Sequence, residues 1–272
     1  MSETHQSQLP EFEEPPVVEV VCGVLFEPLK AMLASHIGLL WERLRKDYPM
    51  SKEVAPLTPV VERFGGEATV HLEFTDVPPL PRIWFLRQDE TSLVQLQRDR
   101  FLHNWKKVHP TDEYPRYHTV IQQFKDRLAE FKGFIQDNEL GVLKPMQYEL
   151  TYVNHIPRGD KISTLADIGR VFPDFAWQAR PGRFLSHPNG INWRTITDLP
   201  DEKGRLHTSA RTATRTDGQS ILQFELTARG YPGDASPDAM LAWFDLGHEW
   251  IVRGFTDLTG EEFHRDVWRR KR

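Results

Sequence analysis

The sequence predicts an α+β fold made of two pseudo-symmetric halves, each strand–helix–antiparallel strands–long helix, forming one compact unit. Three observations carry this. Strand candidates come in runs joined by short turns such as Asp217-Gly218, so neighbours pair antiparallel. Two long apolar stripes at helical spacing close those runs. Strands and helices do not alternate one for one, so a doubly wound parallel sheet is not expected.

The elements follow in order. Residues 1–16 are polar and acidic and end in Pro15-Pro16, which reads as a disordered lead-in. Val17 to Phe26 is rich in β-branched residues and is closed by Pro28, a strand. Leu29, Leu33, Ile37, Leu40 and Leu44 recur at helical spacing up to Pro49. A hairpin is expected over Val60 to Phe74, turning at Gly65-Gly66, and Pro78-Pro79-Leu80-Pro81 breaks the pattern. Arg82–Arg87 and Ser92–Arg98 form the next hairpin around Asp89-Glu90. Tyr117, Ile121, Phe124, Leu128, Phe131 and Ile135 then form one stripe, with Pro115 at its start and Gly141 beyond its end.

The second half reuses this plan. Met146 to Ile156 alternates Tyr148, Leu150 and Tyr152 against Glu149 and Thr151, a half-buried strand. A short helix over Leu165–Val171 and strands over Ile191–Thr197, Arg205–Arg215 and Ser220–Arg229 follow. Ser236 caps a helix with Pro237 at its first position and Leu241, Phe244, His248, Ile251 and Phe255 on one stripe. A last helix starts at the Thr259-x-x-Glu262 capping box and runs into a basic tail, Arg269 to Arg272. The halves are residues 17–140 and 141–272, separable near Gly141, with no repeat at residue level.

Composition narrows the function classes. Of 272 residues, 39% are hydrophobic, with 16 Phe and 8 Trp, enough for a substantial core. The formal charge of −5 disfavours strong non-specific binding to nucleic acid, although a local basic patch can oppose the average. A single cysteine, Cys22, rules out a disulfide framework or a cysteine zinc site and suits a reducing cytosol. No apolar run approaches the roughly 18 residues of a membrane span, and the acidic start does not read as a signal peptide. A cytoplasmic protein without membrane contact is expected.

Several chemistries have no motif to carry them. There is no P-loop, no Gly-x-Gly-x-x-Gly after a strand, no His-Glu-x-x-His and no Gly-x-Ser-x-Gly, so no cofactor is expected. Pro200-Asp201-Glu202-Lys203 resembles a nuclease motif only superficially, because contiguous turn residues cannot converge on a metal. Among the 11 histidines no pair has metal-ligand spacing. His248 reads as a satisfied core histidine, His264 as a surface residue, and Cys22 as a buried thiol with nothing to activate it.

Two segments stand out. Val94–Lys107 reads VQLQRDRFLHNWKK. Gln95 and Gln97 share one strand face. Arg98, Asp99, Arg100, Asn104, Trp105, Lys106 and Lys107 then crowd together, and cations among aromatics can grip phosphate and stack on bases. The plain structural reading is a strand end anchored by Phe101 and Trp105, with Arg98–Asp99 paired internally. The second segment is the polar face of the C-terminal strands, where Gln223, Glu225 and Arg229 lie beside His207 and Arg211. Such a mixed-charge face is ordinarily just solvated. If both halves share a sheet, it and Gln95/Gln97 would line one polar groove for a nucleotide, a peptide or a partner loop.

The Gln95-x-Gln97-x-Asp99-Arg100-Phe101-x-x-Asn104-Trp105 pattern, the opening Pro15–Val21 strand, Tyr114-Pro115-Arg116-Tyr117 and YELTYVNHI at 148–156 together resemble one family. It is a sporadically distributed prokaryotic family of uncharacterised proteins of about this length, and the resemblance runs from Pro15 onward. No catalytic residue carries over from it. Its patchy distribution implies an accessory gene of the toxin–antitoxin or phage-defence kind. The expectation is therefore a non-enzymatic binding or regulatory protein that recognises a protein partner, such as a neighbouring gene product. The alternatives are RNA or nucleotide binding through the 98–107 cations and the basic tail, and an enzyme with a dispersed site at His207, Arg211 and Glu225.

Overall fold

Among the described residues every strand lies in one antiparallel sheet, and the two long helices pack on one face of it. The computed structural model describes residues 8–58, 60–62, 81–159, 161–175, 177, 180–186, 188–231 and 233–271. The strands are β1 (Val17–Phe26), β2 (Met50–Val54), β3 (Arg82–Leu86), β4 (Ser92–Gln97), β5 (Arg100–Lys106), β6 (Pro145–Pro157), β7 (Asn192–Asp198), β8 (Arg205–Thr214) and β9 (Ser220–Gly230). Their nine-stranded order is β2-β3-β4-β5-β1-β6-β9-β8-β7. The helices are α1 (Ala34–Leu44), α2 (Arg116–Asp137), α3 (Ile168–Val171), α4 (Pro237–Leu258) and α5 (Glu261–Asp266).

Alternation along each strand sorts side chains onto two faces. One face carries Val20, Cys22 and Val24 of β1, Phe101 of β5, Tyr148 and Leu150 of β6, and Phe224 and Leu226 of β9, all buried. Helices α2 and α4 cover it, α2 over β5 and β1, α4 over β6, β9 and β8. Phe101 stacks on Phe131 of α2 at 5.0 Å, and Phe124 meets Phe244 of α4 at 5.2 Å. One continuous core therefore underlies both halves, and β1–β6 pairing joins them at the centre of the sheet. Gly247 lets α4 approach, since a Cβ there would lie 3.2 Å from the Ala228 Cβ.

Sequence and structure part company in several places. The stretch at 8–16, expected as part of a disordered lead-in, is docked: Phe12 is buried against Phe255, His264 and Trp268. Glu13 and Glu14 donate backbone N–H groups to Arg269 and Trp268, and Lys271 donates to Glu11. One aromatic in a polar stretch suffices when the chain's other end supplies both backbone partners and an aromatic pocket. The final helix is capped at Gly260, and Thr259 turns its hydroxyl to Phe255 and His264. Glu262 pairs with Arg170 instead of closing a capping box. His264, expected at the surface, is buried at 1% exposure. Helix α1 starts five residues after Leu29, at Ala34. Strands β2 and β5 have no counterpart in the sequence reading. The hairpin at Gly65-Gly66 and most of the 78–81 proline run lie outside the described residues. No described helix is long and apolar enough to cross a membrane.

Candidate functional site

The face of the sheet turned away from α2 and α4 carries a buried polar surface with a length of the chain's own backbone laid across it. Residues following β2, at 55–58 and 60–62, run transverse to the strands. Gln97 of β4 accepts from the Leu57 N–H at 2.9 Å and donates to the Leu57 carbonyl at 3.0 Å. Gln147 of β6 accepts from the Glu62 N–H at 2.8 Å and donates to the Val60 carbonyl at 2.9 Å. A primary amide offers one acceptor and two donors, so each glutamine mimics the pairing a neighbouring strand would give. Both glutamines are buried.

The segment ends in a charge site. The Glu62 carboxylate reaches Arg205 Nη1 at 3.1 Å and His207 Nε2, both on β8. Its side chain is only 3% exposed. Burial pushes the Glu62 carboxyl up, but hydrogen bonds and charge from His207 and Arg205 outweigh it and hold the group below its ordinary value. Arg205 is braced in turn by Asp198 at 3.0 Å.

Between these anchors runs a chain of amide contacts. Gln95 accepts from Trp84 Nε1 at 2.9 Å and from Arg82 at 3.2 Å, and donates to Asn104 at 2.7 Å. Asn104 donates to Glu19 at 2.6 Å. Burial raises the Glu19 carboxyl, with Asn104 and Lys106 opposing. Thr151 meets Thr227 at 2.9 Å, and Arg229 pairs with Glu149 at 2.7 Å.

Register places Gln95, Gln97, Arg100, Asn104 and Lys106 on this face together with His207, Arg211, Gln223, Glu225 and Arg229. Strand β5 divides the 94–107 segment. Trp105 points to the helical side, 6% exposed and 5.3 Å from the Tyr114 ring, where it cannot stack on a ligand of the polar face. Arg98 and Asp99 form the two-residue turn between β4 and β5, and their carbonyls receive the Leu29 and Phe26 N–H groups. Asp99 pairs with Arg100, not with Arg98. Lys106 lies 3.6 Å from Glu90, and exposed Lys107 continues past the strand. Arg211 donates to Gln223 at 3.2 Å. Sequence reasoning missed Leu57, Glu62, Gln147 and Arg205. The one available signal was alternation: Gln147 shares the polar side with Glu149 and Thr151.

The helical side holds a separate cavity of about 300 Å³ between α2, α4 and the 9–17 stretch. Tyr152 bridges Tyr114 and His248 Nδ1 at 2.9 and 3.1 Å, and His248 stacks on Tyr117 at 4.0 Å. Burial, with the His118 charge, pushes His248 down to about 4. Cys22 is buried, and burial raises its thiol. Among the described residues no three His, Cys, Asp or Glu side chains converge on a metal position.

Comparison with protein-family models, curated proteins and solved structures finds no match.

Proposed function

We propose that this chain is a cytoplasmic binding and regulatory protein that recognises an extended segment of a partner polypeptide on the polar face of its sheet. The reading rests on one observation, the paired hydrogen bonds between the Gln97 amide and the Leu57 backbone. A side chain that grips both backbone groups of one residue reads extended main chain, the chemistry of strand-like peptide recognition. The segment at 55–62 acts as the built-in occupant that a partner displaces. The partner is a neighbouring gene product in an accessory module of the toxin–antitoxin or phage-defence type. Membership of the sporadically distributed family resembled by the 95–105 pattern belongs to the same proposal. So does pseudo-symmetry of the halves, supported by the placing of β1 and β6 at the centre with β5 and β9 beside them.

Nucleic acid is the weaker reading, because two of the cations it would need lie against carboxylates, Lys106 beside Glu90 and Arg269 with Glu14, and Trp105 faces away from them.

The test uses a labelled peptide of sequence APLTPVVE, the chain's own 55–62, and the full-length E62Q variant, whose segment is loosened at its charged end. Saturable binding is expected by fluorescence anisotropy. Gln97→Ala in the same background should weaken it about tenfold, the loss of two backbone hydrogen bonds. No binding, or binding indifferent to Gln97→Ala, overturns the proposal.

A further inference from the structure

Two guanidinium groups on the polar face lack the acceptors that burial demands. Arg100 of β5 pairs in register with Gln97, and Arg82 lies beside Gln97 on its other flank, in β3. Arg100 is 6% exposed. Its Nε lies 3.3 Å from Asp99, while its Nη2 has no hydrogen-bond partner among the described residues. Arg82 donates one Nη1 bond to Gln95 and lies over the Trp84 ring at 5.5 Å. Its Nε is also without a partner among the described residues. Arg100 is the charge that presses on Arg82, lowering its affinity for its proton after burial has done so.

Elsewhere on this face each half-buried arginine meets carboxylates: Arg205 has Glu62 and Asp198, and Arg229 has Glu149. Arg82 and Arg100 together have Asp99. A buried guanidinium with an unfilled N–H is strongly unfavourable, and a second cation beside it adds repulsion. The missing element is an anion with two acceptor oxygens, one for each orphan donor.

We propose that Arg82 and Arg100 form a binding site for an oxyanion, a carboxylate or a phosphate, seated beside the Gln97 clamp. A free anion suffices to fill it, so the site stands apart from polypeptide recognition. The same chemistry could also arrive as an acidic group on a docked segment. The amino end of the 55–62 segment leaves β2 where Val54 pairs with Arg82, so a carboxylate attached there comes within reach of the pair.

The experiment compares thermal midpoints of the full chain in phosphate, acetate and chloride at matched ionic strength. It follows the arginine Nε–H resonances in parallel by ¹⁵N NMR. A rise of a few degrees in phosphate or acetate is expected, with a saturable shift of the Arg82 Nε–H signal. Arg82→Gln and Arg100→Gln should each abolish the rise, and Arg100→Gln should also abolish the shift of the Arg82 Nε–H signal. If Arg100→Gln does not fold, Arg82→Gln, at a partly exposed position, decides alone. A second arm measures succinyl-APLTPVVE against acetyl-APLTPVVE on E62Q. Several-fold tighter binding of the succinyl peptide, lost in Arg82→Gln, assigns the anion to the docked segment, and a response to free anions alone assigns it to a small molecule. Midpoints equal to chloride with equal peptide affinities overturn the site, as does a rise that persists in both arginine variants.

Discussion

Gln97 and Leu57, forty residues apart, exchange both hydrogen bonds of a strand-like pair, at 2.9 and 3.0 Å. Truncation to Gln97→Ala removes both at once and leaves the Leu57 N–H and carbonyl to water. Global stability should fall by about 1–2 kcal/mol. Amide exchange should accelerate at Leu57, whose N–H Gln97 accepts, while staying unchanged in β1 and β6. Hydrogen exchange read by mass spectrometry checks this, and unchanged protection at Leu57 would count against the clamp.

The Glu62 site makes stability depend on acid. A carboxyl held below its ordinary value of 4.5 in the folded state contributes stability that is present above that value. The contribution is lost as pH falls through the folded value. Wild type should exceed E62Q by roughly 2 kcal/mol at neutral pH, the range of a charge-assisted hydrogen bond. The gap should close in acid. Urea midpoints of both proteins from neutral to strongly acidic pH measure it, and a gap independent of pH would show that Glu62 is not ionised there.

Two histidines should resist protonation. His103 is wholly buried, 3.0 Å from Ser92 Oγ, and burial, helped by the Arg127 charge, pushes it down to about 3. His248 is pushed down to about 4. Both remain neutral in the fold while an unfolded chain takes up protons near 6.5, so stability declines as pH drops from about 6.5 toward these values. Proton NMR should show two imidazoles still neutral at pH 5. Ordinary titration of either resonance would contradict its burial.

Gly230, at the end of β9, faces the turn entering β8. A Cβ there would stand 2.0 Å from the Lys203 carbonyl oxygen and 2.5 Å from the Gly204 Cα. The same carbonyl accepts the Trp243 indole N–H at 2.8 Å, so it cannot simply move away. Gly230→Ala should destabilise the protein by roughly 2–3 kcal/mol, as overpacking against backbone does. Chemical denaturation decides it, and a neutral effect would mean that this turn yields.

The long helices are legible in the sequence because a stripe such as Tyr117–Ile135 records which side meets a core. Gln95 and Gln97 are legible as one face for the equivalent reason, with period two. Strand β5 is not legible, because Arg100, Phe101, Leu102, His103, Asn104 and Trp105 are all buried, which erases any inside–outside alternation. Burial of Trp105 follows from that strand's register and could not be read from its basic neighbours. Nor could the partners of the two clamps. Leu57 meets Gln97, and Glu62 meets Gln147 and β8, through contacts 40 to 145 residues long. The sequence marks a polar face without saying what lies on it.

The docking of the 8–16 stretch against residues 268–271 has a topological consequence. The Lys271 N–H reaches the Glu11 carbonyl at 2.7 Å, and Phe12 bridges to Arg270. Among the described residues the backbone at 271 therefore returns to within a hydrogen bond of residue 11, an open ring clasped by an aromatic. Such a ring could be sealed by a short linker and reopened at the exposed Asp217-Gly218 turn. A circular permutant built this way would keep every strand neighbour of the sheet while giving the polypeptide a new order of synthesis.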